Sequence, residues 1–139
     1  MQYRKRVLFT CQVIDIASVL PRRWTYTLNG AAVMSAYAVA LLHDVDLNAD
    51  IVRYLEEIDA TLAPFEGRFI VHGAPPDVRE GEWQGDLIII EFPSPAKARA
   101  WYGSDAYQVI LPLRTNNARG AVILIDGVEA GHRAGDILR

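Results

Sequence analysis

Residues 91–108 read EFPSPAKARAWYGSDAYQ, and the order of their prolines, serines and glycine decides how the second half of the chain folds. LIIIEF (87–92) leads in with three consecutive isoleucines, whose β-branched side chains favour a strand. Pro93 stops that strand. Ser94 supplies the side-chain oxygen of a helix N-cap, and Pro95 suits the first helical position, where its missing N–H is not needed. Ala96 to Tyr102 contains strong helix formers. Gly103 can take the left-handed conformation that closes a helix. Ser104 then caps a second segment running from Asp105 to about Asn117, with Asp105 at its positive end. Pro112 is expected to kink or divide that segment. GAVILIDG (120–127) reads as a last strand, and residues 129–139 as a polar, peripheral tail.

Working back toward the N-terminus, GRFIVHG (67–73) reads as a strand with a glycine at each end, and APPDVREGEWQGD (74–86) as a loop or bulged hairpin. Ile51, Tyr54, Leu55, Ile58 and Leu62 fall on one stripe of a 3.6-residue period. That helix takes its cap from Asp46 or Asn48 and ends at Pro64. AYAVALL (36–42) is a short apolar run that reads as a buried strand. The order is β-α-β-β-α-β, the ferredoxin-like split βαβ arrangement of the α+β class, with a four-stranded, mostly antiparallel sheet. Both helices lie on one face. The other face is left open and needs a cover, for which a second copy of the chain is the simplest candidate.

The chain has 139 residues, a length that suits one domain. Charge is unevenly placed. Residues 1–33 carry five basic side chains against Asp15 alone, a net of +4, while the remainder holds 9 basic and 16 acidic groups, a net of −7. Such a shift marks a boundary. Residues 1–33 are therefore expected to be an extension outside the core domain, which spans 34–128 and begins near Met34. RKR followed by VLFTCQVIDIASVL loosely mimics an export signal, but Gln12 and Asp15 interrupt its apolar region and no small-residue cleavage site follows at the right distance. The overall charge of −3 gives no electrostatic reason to expect nucleic acid. No apolar run reaches the roughly 18 residues of a membrane span. Cys11 is the single cysteine, so no internal disulfide forms, which fits a cytoplasmic protein.

GRFIVHG, EGEW, IIIEFPSPAKARAWYGSDAYQ and LPLR together resemble the domain of unknown function family 1330. The resemblance covers roughly residues 36–128, and EFPS followed by AWY-x-S-x-x-YQ is its most specific part. It implies a subunit of the dimeric α/β-barrel superfamily, in which the sheets of two chains pair into one barrel. That superfamily includes small oxygenases, haem degraders and isomerase-like enzymes. The family carries no established reaction, so the resemblance implies fold and dimer and leaves chemistry open.

Strand alternation sorts the side chains by face. Arg68, Ile70 and His72 share one face of their strand, and Leu87, Ile89 and Glu91 share one face of the next. The wholly apolar sets should meet the helices, so Arg68, His72 and Glu91 should face the barrel interior. Tyr37, Val39, Leu41 and His43 match them in the first strand. A one-residue bulge would reverse the facing of any strand. On this reading Tyr37 and Arg68 bind an anionic or polar ligand, Arg68 through its planar fork of donors, while His72 and Glu91 are the candidate catalytic pair, imidazole as proton carrier and carboxylate as base or orienter. The alternative is an Arg–Glu cross-strand pair with a satisfied histidine at the dimer seam.

Ala98, Trp101 and Tyr102 share one helix face, which suits core packing. Tyr102 or Tyr107 could instead line the cavity edge, and Tyr102 is carried as a candidate ligand-binding residue. Arg114 could meet Asp105, Glu91 or a ligand anion. Trp83 anchors the hairpin or packs on a partner. HDVD (43–46) matches no specific metal site and is better explained as a helix entry. GEWQG lacks the pattern of a phosphate loop. No metal and no cofactor is expected. Two functions follow. One is a homodimeric small-molecule-binding protein with a cavity between the sheets, acting as a cofactor-independent enzyme on a small anionic or polar substrate. The other is a non-catalytic homodimeric binding or interaction module.

Overall fold

A computed structural model describes residues 34–139. The expectations for the extension 1–33 and for Cys11 lie outside the described residues. The elements are β1 (Ala36–His43), α1 (Ala49–Leu62), β2 (Arg68–Val71), β3 (Asp86–Phe92), α2 (Pro95–Tyr102), α3 (Asp105–Thr115) and β4 (Arg119–Asp126). The four strands form one sheet in the order β2-β3-β1-β4, with every neighbouring pair antiparallel. This is the α+β, ferredoxin-like arrangement.

Local chemistry explains most of the boundaries. Asn48 is the cap of α1, its Oδ1 accepting from the backbone N–H groups of Asp50 and Ile51 at 3.0 and 3.2 Å. The helix gives way at Leu62 to a short 3-10 turn, Ala63–Phe65, that contains Pro64. Ser94 Oγ accepts from Lys97 N–H at 3.2 Å to start α2, and Ser104 Oγ accepts from Tyr107 N–H at 3.3 Å to start α3. Gly103 departs from expectation: its φ is −82°, in the right-handed region. Ser104 makes the turn instead. Its extended backbone redirects the chain while its hydroxyl donates to the Trp101 carbonyl at 2.7 Å. Pro112 does not divide α3, which runs unbroken to Thr115. Tyr107 and Ile110 are buried before it and Arg114 after it. A glycine is required at the start of β4. Gly120 has φ +136°, and a Cβ there would stand 2.0 Å from the Leu41 carbonyl oxygen.

The core lies between the sheet and the helices. Ala36 and Ala38 of β1 and Ile90 and Phe92 of β3 meet Tyr54, Ile58 and Leu62 of α1, Trp101 of α2, and Tyr107 and Ile110 of α3. Trp101 is 1% exposed. Its ring lies 4.1 Å from that of Tyr107 and 5.3 Å from that of Phe92, centre to centre. Its indole N–H donates to Thr61 Oγ1 at 3.0 Å, and Thr61 donates on to the Ile58 carbonyl at 2.7 Å. Trp101 is thus a core residue with its one polar atom satisfied.

The opposite sheet face is uncovered in the single chain. Its rows are Glu91–Tyr37–Ile125, Ile89–Val39–Ile123 and Leu87–Leu41–Ala121. Ile123 and Ile125 are each about half exposed.

Candidate functional site

The pocket expected from strand alternation is only partly assembled. Arg68, Glu91 and Tyr37 do share the open face, in one row across three strands. Arg68 Nε donates to Glu91 Oε2 at 2.9 Å, and a second guanidinium nitrogen reaches the same oxygen. The Glu91 carboxylate therefore already has a cationic partner.

His72 is not with them. Arg68 pairs with Glu91 and Phe69 with Ile90, but Val71 rather than Ile70 pairs with Ile89. Ile70 is the extra residue of a bulge on an edge strand, where bulges are common. Strict alternation fails at that point, and His72 turns to the helix side. There its ring stacks on Phe69 at 4.7 Å with an interplanar angle of 19°. The catalytic pair read from the sequence, His72 with Glu91, is thus split across the two faces of the sheet.

The helix side holds a cavity. Its volume is about 80 Å³. Ala38, Ala40, Ile88 and Ile90 form its floor. The alanines matter: small side chains on the central strand leave room under the helices that a larger residue would fill. Tyr54 and Ile58 of α1, Trp101 of α2, and Tyr107 and Arg114 of α3 close it from above. Exposed Leu55 and His72 lie at its mouth. Tyr102 is not part of the wall. It packs behind Tyr107, ring centres 5.2 Å apart.

Arg114 is 8% exposed. Burying a cation is costly unless a carboxylate or several hydrogen-bond acceptors compensate it. Among the described residues no carboxylate lies within ion-pairing distance of Arg114. Neither Asp105 nor Glu91, the partners considered from sequence, meets it. Its company is aromatic and phenolic. Its Cζ lies 6.0 Å from the centre of the Tyr54 ring, and the Tyr54 and Tyr107 phenols are its electrostatic neighbours. Burial works against its charge, but the Tyr107 and Tyr54 oxygens outweigh that and raise its pKa above the ordinary value. The two hydroxyls are 3.2 Å apart and hydrogen-bonded to each other. Burial first, and the neighbouring Tyr107 second, push the Tyr54 phenol well above its usual range. Tyr54 is a neutral phenol here, not a phenolate.

The backbone holds this group in place. Asp46 N–H donates to the Asn117 carbonyl at 2.8 Å, and Asn48 Nδ2 donates to Asn117 Oδ1 at 2.6 Å. These bonds tie the end of α3 to the entry of α1 and keep Arg114 against Tyr54.

A profile of the family described as "Domain of unknown function (DUF1330)" matches residues 35–128. The chain belongs to the DUF1330 family. Among curated proteins nothing matches this DUF1330 chain. Among solved structures it is similar to the methylated RPA0582 protein, with 13% identity, a TM-score of 0.54, and coverage of 75% of this chain and 87% of that one. It is also similar to RPA0582 from Rhodopseudomonas palustris, a protein of unknown function, at 13% identity and a TM-score of 0.50 over 73% of this chain and 87% of that one. A dimeric ferredoxin-like protein of unknown function from Jannaschia sp. CCS1 matches at 19% identity and a TM-score of 0.48, covering 67% of this chain and 96% of that one. At such identities the likeness speaks for the DUF1330 fold alone. Among the described residues, no helix is long and apolar enough to cross a membrane.

Proposed function

We propose that this DUF1330 protein binds a small organic molecule in the cavity between its helices and its sheet, with the polar or anionic end of that molecule at Arg114. The observation that carries the reading is a nearly buried guanidinium, without a carboxylate partner among the described residues, lining a mostly apolar cavity. A bound anion would supply the missing compensation. The site is one of binding first. His72 at the mouth is the group placed to exchange a proton with a molecule held inside. This cavity lies within one chain, apart from the space between the sheets of two chains that the sequence leads one to expect. The test is a thermal-shift screen of small organic acids and their neutral amides on the wild-type chain. Ligands should raise the melting temperature in proportion to RT ln(1 + [L]/Kd). Absence of any shift at millimolar concentration overturns the reading.

The open sheet face supports a homodimer, with the two sheets facing across a barrel. Val39, Leu41, Ile89, Ile123 and Ile125 form an apolar patch that water otherwise covers. Pairing with a second copy would bury more than about 1,000 Å² if the interface is of stable size. Sedimentation at micromolar concentration should give a dimer for wild type and a monomer for Ile125→Glu. A monomeric wild type rejects the barrel.

A further inference from the structure

We propose that the ligand is a monocarboxylate with a short apolar tail, carboxylate inward at Arg114 and tail toward the mouth at Leu55 and His72. This rests on the reading that the cavity binds a small organic molecule, and it names the class.

Charge comes first. Arg114 is the one cationic side chain in the wall apart from the imidazole at the mouth, and it has no carboxylate partner among the described residues. One negative charge neutralises it. A phosphate ester or a dicarboxylate would leave a second, unpaired negative charge in an apolar space, which such a space penalises heavily. Arg114 lies in the last turn of α3, so the partial negative charge of the helix end steadies the cation without replacing a full counter-charge.

Geometry comes second. A guanidinium presents parallel N–H groups that match the two oxygens of a carboxylate. The Tyr54 and Tyr107 hydroxyls hydrogen-bond each other at 3.2 Å. In such a pair one proton is spent between the two oxygens and the other is left to donate, here to the anion. Because both phenols hydrogen-bond within one chain of donors, each polarises the next.

Shape comes third. Beyond this polar end the lining includes Ala38, Ala40, Ile88 and Ile90 below and Ile58 above, and the N–H of Trp101 is already bonded to Thr61. A tail with a second polar end inside would lose its hydration without gaining a partner. The space of about 80 Å³ is smaller than the roughly 150 Å³ that encloses a benzene ring, so a short tail is held inside and a ring would extend into the mouth.

The experiment uses the full chain and measures thermal shifts with isovalerate, benzoate, isovaleramide, succinate and inorganic phosphate. Isovalerate and benzoate should stabilise wild type in a concentration-dependent way. Isovaleramide should bind at least ten-fold more weakly, and succinate and phosphate should give no shift. Arg114→Met should melt at or above the wild-type temperature without ligand and lose the response. Ala40→Leu, which fills the cavity from the floor and leaves Arg114 in place, should lose it as well. If succinate or phosphate stabilises more than the monocarboxylates and does so through Arg114, the class is wrong while the binding cavity stands. If benzoate stabilises Arg114→Met as well as wild type, recognition of the carboxylate by Arg114 is overturned. If no probe, charged or neutral, shifts any variant, the class and the cavity reading fall together.

Discussion

Arg68 and Arg114 lie on opposite sides of one sheet and are held in opposite ways. Arg68 has a carboxylate at 2.9 Å and is more than half exposed. Water screens that pair, and exposed ion pairs of this kind are worth about 0–1 kcal/mol. Arg114 is buried and, among the described residues, has phenols but no carboxylate beside it. The comparison teaches that an arginine's surroundings, rather than its presence, mark a binding site. A paired, wet arginine is finished. A buried one that lacks a counter-charge leaves a place for an anion.

Four measurements would break or sharpen this contrast. The largest effect should come from the wall that dries Arg114. Trp101→Ala removes the largest fully buried side chain and its bond to Thr61, and should cost about 3–5 kcal/mol in urea unfolding. A loss below 1 kcal/mol would mean the helix side is not tightly packed. Charge reversal should then separate the two arginines. Arg114→Glu puts an unpaired carboxyl beside Tyr54 and Tyr107 and should cost about 3–5 kcal/mol. Arg68→Glu, beside Glu91 but in water, should cost about 1 kcal/mol or less. Equal losses would erase the distinction.

A third, smaller effect is alkaline. The Tyr54 phenol is pushed up in the folded state, so the folded protein keeps a proton that the unfolded chain releases near the ordinary phenol value of about 10. The stability from that neutral phenol is complete below about pH 10 and is lost as pH rises toward the folded value. Tyr54→Phe should flatten the fall in melting temperature between pH 10 and 11.5, and an unchanged slope would place the proton elsewhere. The smallest effect belongs to the open face. Glu91→Gln should change stability by less than about 1 kcal/mol, and should leave any carboxylate-induced shift intact. Loss of that shift would return Glu91 to the list of ligand-binding candidates.

The fold was largely legible before the structure, because its signals are local. Asn48, Ser94 and Ser104 each sit at a helix start where a side-chain oxygen can meet an orphan N–H two or three residues on. The isoleucines of 88–90 could belong only to a strand between Gly85 and Pro93. The strand facing of Tyr37, Arg68 and Glu91 followed from period-two alternation and holds in the register. The same rule misplaced His72, because one extra residue at Ile70 inverts everything after it. Gly103 was misread for a related reason: two neighbouring residues could make the turn, and Ser104 made it.

The binding candidate was less visible. Tyr54 and Tyr107 stand 53 residues apart in the chain, and Arg114 lies seven beyond Tyr107. The spacing of Tyr107 and Arg114, two helical turns, does put them on one face of α3, and both proved buried. That spacing was the available signal. It could not show that Tyr54 faces them or that no carboxylate does.

The amino-acid sequence by itself determined the order of elements, their caps and breaks, and the apolar face of each, since these depend on residues a few positions apart. Tertiary structure alone decided which side of the sheet His72 occupies and whether Arg114 meets a carboxylate. Those outcomes depend on pairing register and on packing between distant elements, where a single added residue or an absent partner changes the electrostatics of the whole site.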